Sequence, residues 1–221
     1  ATKAMLIEEG RTHGFRLPPE QIHPMGVGSK PEYDLDNQAN LADLALAAGV
    51  DPVQLMVDRL IASEGSELFN GWNFGANIAA QASLMTTAHC LPGLGDAGAH
   101  VGEIIDADST TFLLAELART RGIMSIPEAV HKLTGMPASV LGLIERGQLH
   151  EGWHADLNVI DIDALGSTQP RYMNDFPFGG GRFVVGSTGY DATIVGGEVV
   201  LEHGKHTGQR PGRVIRDFVR N

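Results

Sequence analysis

The sequence predicts an α/β protein that turns to β near its end, on three observations. Apolar residues recur at helical spacing at several places before about residue 145, and short strand-like runs stand between them. After Gly147 the pattern changes to short alternating strands separated by turn residues. In order, residues 1–37 carry turn-formers (Pro18-Pro19, Pro24, Gly26, Gly28, Pro31) around one strand-like piece, Gln21 to Val27, and read as mostly loop. A helix is expected from Gln38 to Ala48, with Leu41, Leu44 and Ala48 on one face and Gly49 as its stop. Asp51 is a good N-cap with Pro52 at the first helical position, and Val53, Met56, Val57 and Leu60 form the apolar stripe of a second helix packed on the first.

Glu67 to Asn70 reads as a short strand, Gly75 to Met85 as a helix, and Pro92 to Asp96 as a strand end entering a loop, a strand-helix-strand alternation. Phe112, Leu113 and Leu117 mark another helix. Ser125-Ile126-Pro127-Glu128 is a capping box opening a helix that Gly135 closes, and Pro137 to Leu143 is a further short one. Leu157 to Ile160 and Phe183 to Val185 are strands. Thr193-Ile194-Val195 and Glu198 to Leu201 flank Gly196-Gly197, a two-residue hairpin signal because glycine accepts the positive φ of primed turns.

A chain of 221 residues can bury a substantial core as one or two domains. Its 27 acidic and 16 basic residues give a net charge of −11, which disfavours nonspecific attraction to nucleic acid or anionic membranes. Small-molecule or protein partners are expected. The single cysteine, Cys90, cannot form an intrachain disulfide, so a cytoplasmic location is the expectation. Neither a signal-like start nor a membrane-length apolar run stands out. The first residue is Ala1 rather than Met, which fits truncation, processing or an artificial boundary alike.

The stretch Leu91 to His100 places one carboxylate, Asp96, among small residues where backbone and ligand can approach closely. An ordinary turn Asp capping nearby backbone is the competing reading. His100, four residues on, faces the same cavity or is satisfied by backbone. His89 and Cys90 are adjacent in a strand-like segment and so point apart, whereas tetrahedral zinc needs three or four converging ligands. His150 with His154, and His203 with His206, read as surface histidines. Gly179-Gly180-Gly181 lacks the Lys-Ser/Thr of a phosphate loop and reads as a turn.

The Asp96 peptide is followed by Arg146-Gly147, Leu149, Gly152 and Ala155-Asp156-Leu157-Asn158-Val159-Ile160-Asp161. Ala192 to Val200, Gly204, Thr207-Gly208 and Gly212-Arg213 close the pattern. Together these motifs resemble the C-terminal part of metal-dependent amidohydrolases, D-aminoacylase-like N-acyl-D-amino-acid deacylases in particular. The resemblance implies a (β/α)8 barrel joined to a small β-sandwich. A barrel typically needs about 250 residues, so residues 1–146 would be an incomplete, C-terminal share of it and residues 147–221 the sandwich-like domain.

The resemblance also implies roles. Asp96 would follow the last barrel strand as catalytic acid/base and metal neighbour, with His100 and Gly95 at the substrate. The family usually has Ser where this chain has Gly95. The family's His-x-His metal motif is absent from the sequence. The expectation is therefore a divalent metal, zinc, in the complete parent, none tightly bound to this chain, and no activity from it alone. A small-molecule amide substrate is implied, with homo-oligomers or association with the missing N-terminal part. Two alternatives stand beside this reading: a noncatalytic assembly module, and a fragment of a hydantoinase- or dihydroorotase-like cyclic amidohydrolase.

Overall fold

The computed structural model describes residues 2–27, 39–72, 77–93, 95, 97–103 and 106–218. The chain divides into two compact units, Ala1–Ala80 and Gln81–Asn221. Among the described residues no helix is long and apolar enough to cross a membrane.

The first unit opens with α1 (Thr2–His13), where a loop was expected. Only Ile7 of this helix is buried, so it carries no continuous apolar stripe for a periodicity reading to find. It is held to α3 (Pro52–Ala62) by two ion pairs, Lys3 with Asp58 and Arg11 with Asp51. The two helices also approach closely, since a Cβ on Gly10 would lie 2.5 Å from Val53 Cγ1. Asp51 also caps α3 as predicted, its side chain accepting the Gln54 N–H at 3.1 Å. The hydrogen bond from Arg11 holds the Asp51 carboxyl below the usual carboxylate range.

Helix α2 (Leu41–Ala48) is capped by Asn40, accepting the Asp43 N–H at 2.8 Å, and stops at Gly49 with φ 69° as predicted. Its buried residues are Leu41 and Ala45, while Ala48 is exposed. It packs on α3, as the paired stripes predicted. Strands β1 (Ile22–Gly26) and β2 (Leu68–Gly71) pair antiparallel, with His23 opposite Asn70. Ile22 to Met25 are all buried, and the His23 ring stacks on Trp72 at 4.0 Å. Glu67, before β2, is buried and takes a fork from Arg59 of α3, with Nε 3.0 Å from each carboxylate oxygen.

The second unit is built on one continuous helical run. The 3₁₀ turn Asp106–Asp108 enters α5 (Ser109–Phe112), which continues as a π-helical stretch, Leu113–Thr120. Leu113, Leu114, Leu117 and Ala118 from that stretch pack with Met124, Ala129 and Leu165. Ile160, Ile162 and Tyr190 close over them, so the change from helices to strands near residue 147 does not interrupt the core.

Ahead of this run lies α4 (Ile78–Thr86), and after it α6 (Ile126–Leu133) begins at the predicted capping box. Ser125 Oγ accepts from Glu128 N, and the Ser125 N–H donates to Glu128 Oε2 at 2.8 Å. Lys132 of α6 is buried, and its ammonium donates to the carbonyls of Thr87 at 3.0 Å and Cys90 at 2.8 Å. Gly135 opens α7 (Gly135–Leu141) instead of closing α6. The break falls on Thr134, and Gly135 is small because a Cβ there would meet His131 Nδ1 at 2.9 Å and the Gly147 carbonyl at 3.2 Å.

The strands follow. The largest described sheet is antiparallel, in the order β10 (Lys205–His206), β9 (Glu198–Glu202), β8 (Tyr190–Val195), β3 (Leu157–Ile160). Gly196 and Gly197, at φ 57° and 85°, make the predicted tight turn between β8 and β9. Two antiparallel ribbons complete the described strands of this unit: β4 (Gly166–Ser167) with β7 (Ser187–Thr188), and β5 (Arg171–Met173) with β6 (Arg182–Val184). The hairpin tip after β5 is braced by Arg182 on Asp175, through bonds of 2.8 and 2.7 Å.

Candidate functional site

The predicted catalytic and metal residue, Asp96, lies outside the described residues. Its flanks are described. Leu91 to Gly93 and Gly95 lie in no strand, contrary to the expected strand end, and Ala97 to Glu103 form turns. Gly95 sits directly against the Asp106 carboxylate: a Cβ on it would lie 2.7 Å from Asp106 Oδ2 and 3.0 Å from its Cγ. His100 is exposed, and its carbonyl accepts the Glu103 N–H at 2.9 Å in a turn. One residue further, the Val101 carbonyl accepts the Phe183 N–H of β6 at 2.7 Å.

Two carboxylates that sequence reasoning did not single out stand beside this loop. Asp108, at the N-terminal end of α5, is 6% exposed, and its Oδ2 is enclosed without a hydrogen-bond partner among the described residues. Burial raises its proton affinity above the usual carboxylate range, against the opposing hydrogen bond from Ser167, and the nearby Asp106 charge adds to the rise. Next to them the hydroxyl of buried Thr111 lies 2.9 Å from both Ser187 Oγ and Tyr190 OH. In sequence, Asp106-Ala107-Asp108-Ser109 looks like acidic residues at a helix start, and no local pattern distinguishes buried carboxylates from solvated ones.

The Asp108 shift has a consequence for stability. A carboxyl with a raised folded-state pKa favours folding while protonated and loses that contribution as pH climbs from the ordinary carboxylate value through the raised one. Asp108→Asn removes the titration while keeping an acceptor for Ser167. Its melting temperature relative to wild type is expected to be higher at pH 7 than at pH 4. Thermal melts at both pH values check this, and an equal difference at the two would contradict it.

The Arg146-Gly147 motif after α7 proves to be part of a latch. Arg146 pairs with Asp156, whose Oδ1 also accepts the Gly196 N–H at 2.8 Å, so this segment grips the β8–β9 turn. Gly147, at φ 80°, allows Ala138 and Thr134 to close in, since a Cβ would come within 2.6 Å of Ala138 Cβ. His150 bonds Gln148 and lies against Trp153, and His203 stands 3.6 Å from Asp191. Among the described residues no three of His, Cys, Asp and Glu converge as metal ligands, so these residues do not by themselves fit a metal centre.

The model of the Amidohydrolase family matches residues 12–201. An N-acyl-D-aspartate deacylase of Alcaligenes xylosoxydans xylosoxydans is 36% identical over 106 residues, which is 48% of this chain and 19% of that protein. A D-aminoacylase of the same organism is 34% identical over 103 residues, covering 47% of this chain and 19% of that protein. The matched stretch thus spans about a fifth of the length of these curated relatives. In fold, 96% of this chain superposes on 39% of an N-acyl-D-glutamate deacylase from Bordetella bronchiseptica, solved with zinc and a phosphonate mimic of the tetrahedral intermediate. The TM-score is 0.50 at 24% identity, a likeness of α/β fold. With residues 12–201 of its 221 matched by the family's model, the chain belongs to the amidohydrolase family.

Proposed function

We propose that this chain is the C-terminal part of a metal-dependent amidohydrolase that hydrolyses N-acyl-D-amino acids or related amides. The family match over residues 12–201, with relatives named as deacylases of N-acyl-D-amino acids, carries this reading. In it, residues 1–146 contribute the last strands and helices of a (β/α)8 barrel and residues 147–221 the small β-sandwich. Asp96 is the acid/base. Its carboxylate takes the proton of the attacking water and returns it to the leaving nitrogen. Gly95 and His100 border the substrate. A divalent metal, zinc, belongs to the complete cytoplasmic enzyme, with ligands supplied outside the described residues. The chain alone carries none tightly and turns over no amide, because a lone carboxylate does not assemble a metal-water centre.

The test is a pair of assays on N-acetyl-D-amino acids. The complete parent is expected to hydrolyse them and to stop when treated with a chelator, whereas the isolated 221-residue chain is expected to be inactive. Turnover by the isolated chain, or an inactive parent, refutes the reading.

A barrel share without its neighbours also leaves apolar faces uncovered. In the first unit a groove of about 360 Å³ between α1 and α3 is lined by Leu6, Phe15, Val53, Met56 and Leu60. The isolated chain is therefore expected to self-associate, and the parent to cover this face with its own missing half. Sedimentation over a dilution series checks the point. A strict monomer from micromolar to millimolar concentration contradicts it.

A further inference from the structure

The second unit holds a buried positive charge that the proposed hydrolysis does not use. Lys132 of α6 is 9% exposed, and its ammonium donates to two neutral carbonyls, those of Thr87 at 3.0 Å and Cys90 at 2.8 Å. An ammonium carries three N–H donors, so one is left over. Among the described residues no carboxylate forms an ion pair with it. A charge buried with neutral partners alone is costly, and an anion brought to it offsets that cost. A cavity of about 340 Å³ has both Lys132 and Thr87 in its wall, so the bond between them brings the ammonium to the cavity's edge.

The rest of that wall narrows the ligand. Ile123, Met124 and Met136 are apolar. The Thr86 and Thr87 hydroxyls donate back to the carbonyls of Ala82 at 3.0 Å and Leu84 at 2.7 Å, so donors for a ligand come from Lys132 and the His131 ring. Glu128 also lines the cavity, with Oε2 held by the Ser125 hydroxyl at 2.7 Å and N–H at 2.8 Å. Those bonds keep its carboxyl below the usual carboxylate range, so it is ionised at neutral pH and repels a second negative charge. We propose that this cavity binds a small monocarboxylate with an apolar tail, its carboxylate on the Lys132 ammonium and its tail against Ile123, Met124 and Met136. The volume lies at the small end of ligand sites, which suits a short chain. Binding of this kind does not depend on the deacylase reading, and it is read without turnover.

Titration of sodium butyrate into the 221-residue chain carrying ¹³C-methyl methionine is the test. The Met124 and Met136 signals are expected to shift saturably with a Kd on the order of 1 mM, the range open to so small a ligand. Butylammonium, of the same length and opposite charge, should give no saturable shift. A butyrate shift that never saturates, or equal binding of butylammonium or inorganic phosphate, overturns the site. Lys132→Met, shown by circular dichroism to be folded, should weaken butyrate at least about tenfold, and undiminished binding overturns the role of the ammonium. Glu128→Gln keeps the capping box, which accepts glutamine at that position, and removes the charge on the cavity wall. At low salt it should bind butyrate about two- to fivefold more tightly than wild type. An unchanged or weaker Kd in that variant overturns the proposed charge pattern, and this arm decides the matter if Lys132→Met fails to fold.

Discussion

Replacing Gly189 with alanine is expected to destabilise the second unit by about 3 kcal/mol or more, from two costs that add. Gly189 has φ 82°, a conformation that an alanine adopts only at a penalty of about 1–2 kcal/mol. The added Cβ would also stand 2.5 Å from Leu165 Cα, 2.6 Å from Leu165 N and 2.8 Å from the Ala164 carbonyl carbon. Those are main-chain atoms and cannot rotate away as a flexible side chain would. Leu165 is itself 2% exposed, in the core against the π-helical stretch, and the Gly189 carbonyl accepts the Asp161 N–H at 2.9 Å. Gly204→Ala separates the two costs, because φ there is 75° but nothing lies within 4 Å of the new methyl. It should lose only the conformational part, about 1–2 kcal/mol. Urea unfolding of both variants measures the difference, and equal stability would show that the Leu165 contact yields.

In the complete parent, Asp96→Asn is expected to lower kcat by about 10²- to 10⁴-fold, the usual contribution of a positioned general acid/base. Asparagine keeps the size and polarity of the side chain but neither takes nor returns a proton at neutral pH. Steady-state kinetics on a variant shown by circular dichroism to be folded, with its metal content measured, checks the assignment. Wild-type kcat in a folded, metallated variant would remove Asp96 from the chemistry.

What the sequence made legible was chiefly what local chemistry decides. The Ser125–Glu128 box, the Asp51-Pro52 helix start, the Gly49 stop and the Gly196-Gly197 turn each satisfy specific backbone groups through nearby residues, so their signals are short and unambiguous. The misread elements are those settled by contacts distant in the chain. Helix α1 shows little pattern because it meets its unit through ion pairs and the Gly10–Val53 approach. Gly135 looked like a helix stop, but its smallness serves the crossing with Gly147. Likewise, Asp96 drew notice as a carboxylate among glycines. Asp106 and Asp108 acquire their significance only when α5 is docked, bringing one against Gly95 and the other to Ser167.

The π-helical stretch has a consequence for direction. Its bonds span five residues, as in Arg121 N to Glu116 O at 2.9 Å, so the run holds more residues per turn than an α-helix would. One residue of an α-helix turns the chain by about 100°, and a widened turn therefore re-aims every side chain after it. Arg119 is re-aimed in this way, and its Nη1 reaches the carbonyls of Ile162 at 2.6 Å and Leu165 at 2.7 Å. The same sequence wound as a regular α-helix would swing that guanidinium off the Ile162–Leu165 segment. The register of a buried helix thus governs whether the Ile162 and Leu165 carbonyls, in the stretch before β4, receive their guanidinium donor.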